Sequence, residues 1–180
     1  MPIQSSISRE RFYISSVRQE NRVGITVMAK EQNHSLALLI ANQMKKRDIS
    51  VDMFVFHRKV NNVTASLLLD NFPVVNSEAL DIIAQEIRQI AGEDAVIQLH
   101  DPVVKLTILG HGLCTSPRVS TEIFSWIKKA GQNIEMMSIS ENEINLVFQP
   151  SPEFGRILKS YLIKMNKIHK PALNNVFDVN

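Results

Sequence analysis

Apolar positions recur along the chain with a period of two in some stretches and near 3.6 in others, and the alternation between them predicts the order of elements. Val23 to Met28 is a short β-branched run closed by the polar residues Lys30 to Asn33, the pattern of a strand. Leu36, Leu39, Ile40 and Met44 follow at helical spacing, and Lys45, Lys46 and Arg47 stand where the negative end of a helix dipole favours cations. Val51 to Phe56 and Val63 to Leu69 read as two strands around Lys59-Val60-Asn61-Asn62, whose asparagines tolerate turn geometry. Ser77 is placed to cap a second helix with Leu80, Ile83, Ala84, Ile87 and Ile90 on its buried face, and Ala95 to Leu99 closes the series as a strand. The predicted order to this point is βαββαβ.

The chain then writes the pattern again. Ile25-Thr26-Val27 recurs as Leu106-Thr107-Ile108 at an offset of 81, and Ile49 to Met53 recurs as Gln132 to Met136 at an offset of 83. The drift of two residues places a small insertion in a loop of the second copy and leaves the elements in step. Val103 to Leu109 reads as a strand, and Val119, Ile123, Trp126, Ile127 and Ala130 line one face of a helix. Ile134 to Ile139 and Ile144 to Phe148 follow as strands. Ser116-Pro117 and Ser151-Pro152 each set a capping serine before a proline at the first helical position, and Phe154, Ile157, Leu158, Tyr161 and Leu162 form the second helix's apolar face.

No convincing strand pattern follows that helix. Met165 to Asn180 is polar and contains Lys170-Pro171, whereas Phe12 to Val17 has strand character, so the missing strand is expected from the N-terminus. The predicted fold is α+β, two ferredoxin-like βαββαβ modules with the first inserted into the second. The expected modules are 22–100, and 101–166 with the N-terminal strand 11–19, leaving 167–180 as a tail.

Composition narrows the function. Of 180 residues 44% are apolar, enough for a core, and 20 Lys and Arg nearly balance 18 Asp and Glu, so no strong field favours nucleic acid or membrane. The one cysteine, Cys114, excludes a disulfide within the chain and fits a reducing cytoplasm. Met1 to Arg11 has no apolar run of signal-peptide length, and no window reaches the roughly 18–20 apolar residues of a membrane-spanning helix. A cytoplasmic protein with neither nucleic acid nor membrane as partner is the expectation.

Residues 103–148 resemble the second ACT module of aspartokinases. The family's glycine turn, Pro-Gly-Val helix start, Asn-Ile-Glu strand and Ser-x-Ser-Glu segment are matched by Gly110 and Gly112, Pro117 and Val119, Asn133-Ile134-Glu135, and Ser138 with Ser140-Glu141. Ile25-Thr26-Val27 and Val51-Asp52-Met53 are similar to its first module, and the resemblance covers about residues 12–164. It implies an allosteric, amino-acid-sensing regulatory subunit, the C-terminal regulatory part of an aspartokinase, or a free-standing paralogue, in aspartate-family biosynthesis, including lysine biosynthesis; nothing here matches the kinase region, so no catalytic site is expected. It also implies an aspartokinase catalytic chain as partner and a homodimer. The alternative is a ligand-blind assembly module on the same fold.

Effectors of this family bind at the junction of two modules, and the resemblance places lysine or threonine at Gln32, His34, Ser35, Ala37, Phe56, Asn133 and Ile134. Several of these depart from the pattern. Gln32-Asn33-His34-Ser35 replaces Asp-Lys-Pro-Gly, Phe56 replaces a polar glutamine, and Arg118 replaces the glycine of Pro-Gly-Val. The first-module site is therefore expected to bind lysine or threonine weakly or not at all.

Other chemistry finds little support. Gly110-His111-Gly112 lacks the third glycine of a dinucleotide fingerprint and any following Lys-Ser or Lys-Thr, so a tight turn accounts for it. His111 and Cys114 supply too few donors for zinc, and neither Cys114, the five histidines, Ser138 nor Ser140 forms a nucleophile–base pattern. No cofactor and no metal is expected. Ser138 and Ser140 are expected to bond backbone, Asp52 and Glu135 to lie on solvated strand faces, and Trp126 to be core.

Overall fold

The computed structural model describes residues 13–30, 36–70, 77–113 and 117–151, together with 153, 154, 156, 157, 160 and 161. Its elements are β1 (Tyr13–Lys30), α1 (Leu36–Lys46), β2 (Val51–Arg58), β3 (Asn62–Leu69), α2 (Ser77–Ala91), β4 (Val96–His111), α3 (Pro117–Lys129), β5 (Met136–Ile139) and β6 (Glu143–Phe148). Phe154, Arg156, Ile157, Ser160 and Tyr161 are also helical. The fold is α+β, and the pairs β1–β3, β2–β3 and β5–β6 are antiparallel.

Contacts divide the chain into two compact units, a continuous one spanning Asn21–Val104 and a split one that joins the described residues before Asn21 to those from Lys105 onward. In the continuous unit the strands lie in the order β2-β3-β1-β4. β1 and β3 pair from Val23↔Leu69 to Lys30↔Asn62, which sets Val23, Ile25, Val27 and Ala29 beside Leu69, Leu67, Ala65 and Val63. Those side chains meet Leu36, Ile40 and Met44 of α1 and Leu80, Ile83 and Ile87 of α2 in one buried cluster. Each fully buried aliphatic side chain of this kind contributes about 1.5–3 kcal/mol, so the cluster dominates the unit's stability. Helical spacing had marked the same faces of α1 and α2.

In the split unit the order is β1-β4-β6-β5, with β1 entering through its first residues. Leu106, Ile108, Ile144, Leu146 and Phe148 are buried, and the Phe148 ring meets Phe154 edge-on at 4.5 Å. Trp126 is 9% exposed and stacks on Tyr161 at 5.0 Å. It is core, as its spacing implied.

The repeat extends to the way two helices end. After α1 the amide of Ile49 donates to the Met44 carbonyl and that of Asp48 to Lys45, with Asp48 at φ 55°. After α3 the amide of Gln132 donates to Ile127 and that of Gly131 to Lys128, with Gly131 at φ 68°. Both are the left-handed cap that satisfies the last carbonyls of a helix, built once on glycine and once on aspartate.

Two strand expectations are corrected. Phe12–Val17 and Val23–Met28 were read as separate strands, as were Ala95–Leu99 and Val103–Leu109, yet β1 runs from Tyr13 to Lys30 and β4 from Val96 to His111. The polar passages Arg18–Arg22 and His100–Pro102 interrupt the apolar pattern, but strands on either side can keep such backbone hydrogen-bonded whatever its side chains.

An ion pair ties the two helices of the continuous unit. Glu86 of α2 accepts from Arg47 Nε at 3.1 Å and from its terminal nitrogen, and from Gln43 of α1 at 2.6 Å. The bond from Arg47, then that from Gln43, hold the Glu86 carboxyl below its ordinary pKa. A folded-state pKa lowered in this way adds stability above the unfolded value, and that stability is lost as pH falls through the folded one. Arg47→Ala is expected to move the Glu86 midpoint upward in an NMR carboxyl titration, and an unmoved midpoint would contradict the assignment.

Candidate functional site

Of the residues expected to receive an effector, Gln32, His34 and Ser35 lie outside the described residues. Ala37 and Phe56 fall in the continuous unit, and Asn133 and Ile134 in the split unit. Ala37 is half-buried in the first turn of α1. Phe56 is 38% exposed on β2, the outermost strand of its unit, and stands opposite Ala65. Phe54 has the same exposure and stands opposite Leu67, so two phenylalanines share the side of the strand that carries the core. A phenyl ring at 56 offers an effector apolar contact and no hydrogen bond.

In the split unit Asn133 and Ile134 connect the cap of α3 to β5. Asn133 is exposed and Ile134 half-buried. Behind them the amide of Glu135 donates to the Val147 carbonyl at 2.8 Å, and Gln149 Nε2 donates to Glu135 Oε1 at 2.5 Å. Glu135 is thus engaged by Gln149 in addition to being solvated. Asn133 brings one amide side chain, able to donate and accept, to an exposed rim.

A polar chain, buried at Thr107 and Asn145, crosses the same sheet. Thr107 Oγ1 donates to Asn145 Oδ1 at 2.8 Å, and Asn145 Nδ2 donates to Ser138 Oγ at 3.1 Å and Glu143 Oε1 at 2.9 Å. Thr107 and Asn145 are 7% and 9% exposed. Ser138 was expected to bond backbone and instead accepts from a side chain, because the β5–β6 register sets it directly opposite Asn145. Ser140 does bond backbone, its hydroxyl donating to the Glu143 carbonyl at 3.3 Å. The network gives both N–H groups of Asn145 and its side-chain oxygen partners inside the unit, which ties β6 to β4 and β5 in one register.

Asp52 is also more than a solvated residue. Arg22 reaches Asp52 at 3.8 Å and Asp70 at 3.2 Å at one end of the continuous unit's sheet. The registers Val23↔Leu69 and Val51↔Leu69 bring the three together, and that information was latent in the hairpin spacing. A shallow depression on α2 is lined by Gln85, Arg88, Gln89, Gly92 and Glu93 and contains none of the expected site residues. Among the described residues no three histidine, cysteine or carboxylate side chains gather as metal ligands, and no helix is long and apolar enough to cross a membrane.

No protein-family model matches the chain. The aspartokinase of Geobacillus stearothermophilus is 26% identical over 147 residues, which is 81% of this chain and 34% of that protein. In sequence and in fold, the chain resembles the aspartokinase regulatory region. The structure of aspartokinase alpha and beta subunits superposes with a TM-score of 0.70 at 21% identity, covering 85% of this chain and 99% of that one. The regulatory subunit of aspartate kinase from Thermus thermophilus, in its ligand-free form, gives 0.68 at 18% identity, covering 84% and 97%. E. coli aspartokinase III in complex with lysine and aspartate gives 0.61 at 12% identity, covering 87% of this chain and 33% of that one. The chain spans about a third of the length of the curated aspartokinase it matches.

Proposed function

We infer that this chain is a regulatory part of an aspartokinase, two ACT modules that respond to an amino acid and act on a catalytic chain. The observation that carries the reading is one strand order present twice. Counted along each copy, the strands of the continuous unit lie second-third-first-fourth. Those of the split unit lie in the same order if β1 supplies its fourth strand. Support for the family comes from the sequence likeness to an aspartokinase over 147 residues, joined to the likeness in fold. The modules are 22–100, and 101–166 with strand 11–19. The chain works in the cytoplasm, pairs with a second copy of itself, and partners an aspartokinase catalytic chain. Its own residues perform no phosphoryl transfer.

The effector is lysine or threonine; the split unit offers it the rim of Asn133 and Ile134, and the first-module positions that the resemblance offers are Gln32, His34, Ser35, Ala37 and Phe56. With Phe56 and Gln32 in place of polar and acidic partners, affinity falls to about the millimolar range, near −4 kcal/mol. A tight site at about 100 times its dissociation constant would gain about 2.7 kcal/mol, raising the melting point by roughly 5–10 °C. At about 1 mM lysine or threonine the expected rise is instead under roughly 2 °C. NMR titration to higher concentration should move the Asn133 side-chain resonances. A rise of 5–10 °C that Asn133→Ala abolishes would overturn the weak-site reading. Unmoved Asn133 resonances would favour the ligand-blind assembly module.

A further inference from the structure

The connection from α3 to β5 is anchored at both ends while its middle is left to solvent. At one end the Gln132 amide is held by the Ile127 carbonyl at 3.1 Å, within the left-handed cap on Gly131. At the other the Glu135 amide is held at 2.8 Å by the carbonyl of Val147, the residue already paired with Met136, so Glu135 stands one residue outside the regular β5–β6 register. Gln149, just beyond β6, then donates from Nε2 to Glu135 Oε1 at 2.5 Å. Between the anchors stand Asn133, exposed, and Ile134, half-buried. Among the described residues the Asn133 side chain has no hydrogen-bond partner.

We propose that Gln149 is a positioning residue, a clamp that with the Val147 carbonyl holds the Asn133-Ile134 stretch ready for a zwitterionic amino acid. The backbone there is ordered before any ligand arrives, so binding does not have to supply the ordering entropy. The bond also occupies one oxygen of Glu135, keeping that carboxylate against β6. The clamp itself stands on the geometry, and its purpose rests on the effector reading above.

Amide hydrogen exchange in the full chain separates the two. Q149A is expected to speed exchange at the Glu135 amide roughly two- to ten-fold, the range expected for one lost hydrogen bond. The Gln132 amide, held by the helix cap, should not change. The double variant E135Q/Q149E exchanges donor for acceptor and should restore the original rate. Titration with L-lysine and L-threonine should show Q149A weakening whichever is bound by a similar factor, again restored in the double variant. Equal Glu135 rates in Q149A and the parent, or equal acceleration at Gln132 and Glu135, would overturn the clamp. Unaltered ligand affinity in a variant whose Glu135 amide has opened would overturn its purpose. If the parent binds neither amino acid, the effector reading fails, and the exchange rates still decide the clamp.

Discussion

Deleting residues 1–19 is expected to unfold the split unit. The deletion takes away Ile14, fully buried, and Val17, 8% exposed. These two side chains alone are worth roughly 3–6 kcal/mol of apolar burial. It also strips the neighbour that β4 has on that side within the split unit, leaving buried backbone groups unpaired. Set against a domain stability of about 5–15 kcal/mol, the loss is of the same order as the whole. Trp126, the chain's one tryptophan, lies in the split unit and reports on it alone. Its emission should shift toward that of solvated indole and lose its cooperative unfolding transition. An unchanged emission maximum and unfolding midpoint would show that the N-terminal strand is dispensable, and would remove the support for an inserted first module.

Phe148→Ala is expected to destabilise the split unit by about 3–5 kcal/mol, the range for emptying a buried aromatic site. Phe148 is fully buried, and its ring meets Phe154 edge-on, so truncation removes both transfer energy and an aromatic contact. Its neighbours along β6, Ile144 and Leu146, are held by the strand ladder and cannot move in to close the cavity. The Trp126 transition in denaturant should shift to lower concentration with its slope kept. Phe148→Leu should cost less, about 1–2 kcal/mol. A loss below about 1 kcal/mol for the alanine variant would mean that Phe148 is not the centre of this core.

These effects depend on elements that the sequence revealed unevenly. The helices were legible because Leu36, Ile40 and Met44, or Val119, Ile123 and Ile127, recur on one face with a period that nothing else in the chain mimics. The full lengths of β1 and β4 were not, since Arg18–Arg22 and His100–Pro102 carry no apolar alternation. Strand continuity there is a property of the neighbouring strands, which local pattern does not contain. The candidate site divides in the same way. Phe56, Asn133 and Ile134 were singled out only through the resemblance to the aspartokinase modules, at positions that match or depart from the family's motif. The roles of Asn145 and Gln149 could not be picked out, because each depends on strand pairing. Asn145 is one polar residue in the apolar run Ile144–Phe148 until the register sets Ser138 opposite it. Gln149 looks like any residue after a strand until Glu135 is placed beside it.

The proposed regulation of an aspartokinase is tested most directly by association with the catalytic chain. The two chains, mixed at micromolar concentration, would be passed over a sizing column with in-line light scattering. A complex containing both, whose aspartate-phosphorylating activity responds to lysine or threonine differently from that of the catalytic chain alone, is the expected result. Separate elution of the two chains, with catalytic activity and its response to both amino acids unchanged by the mixing, would contradict the account.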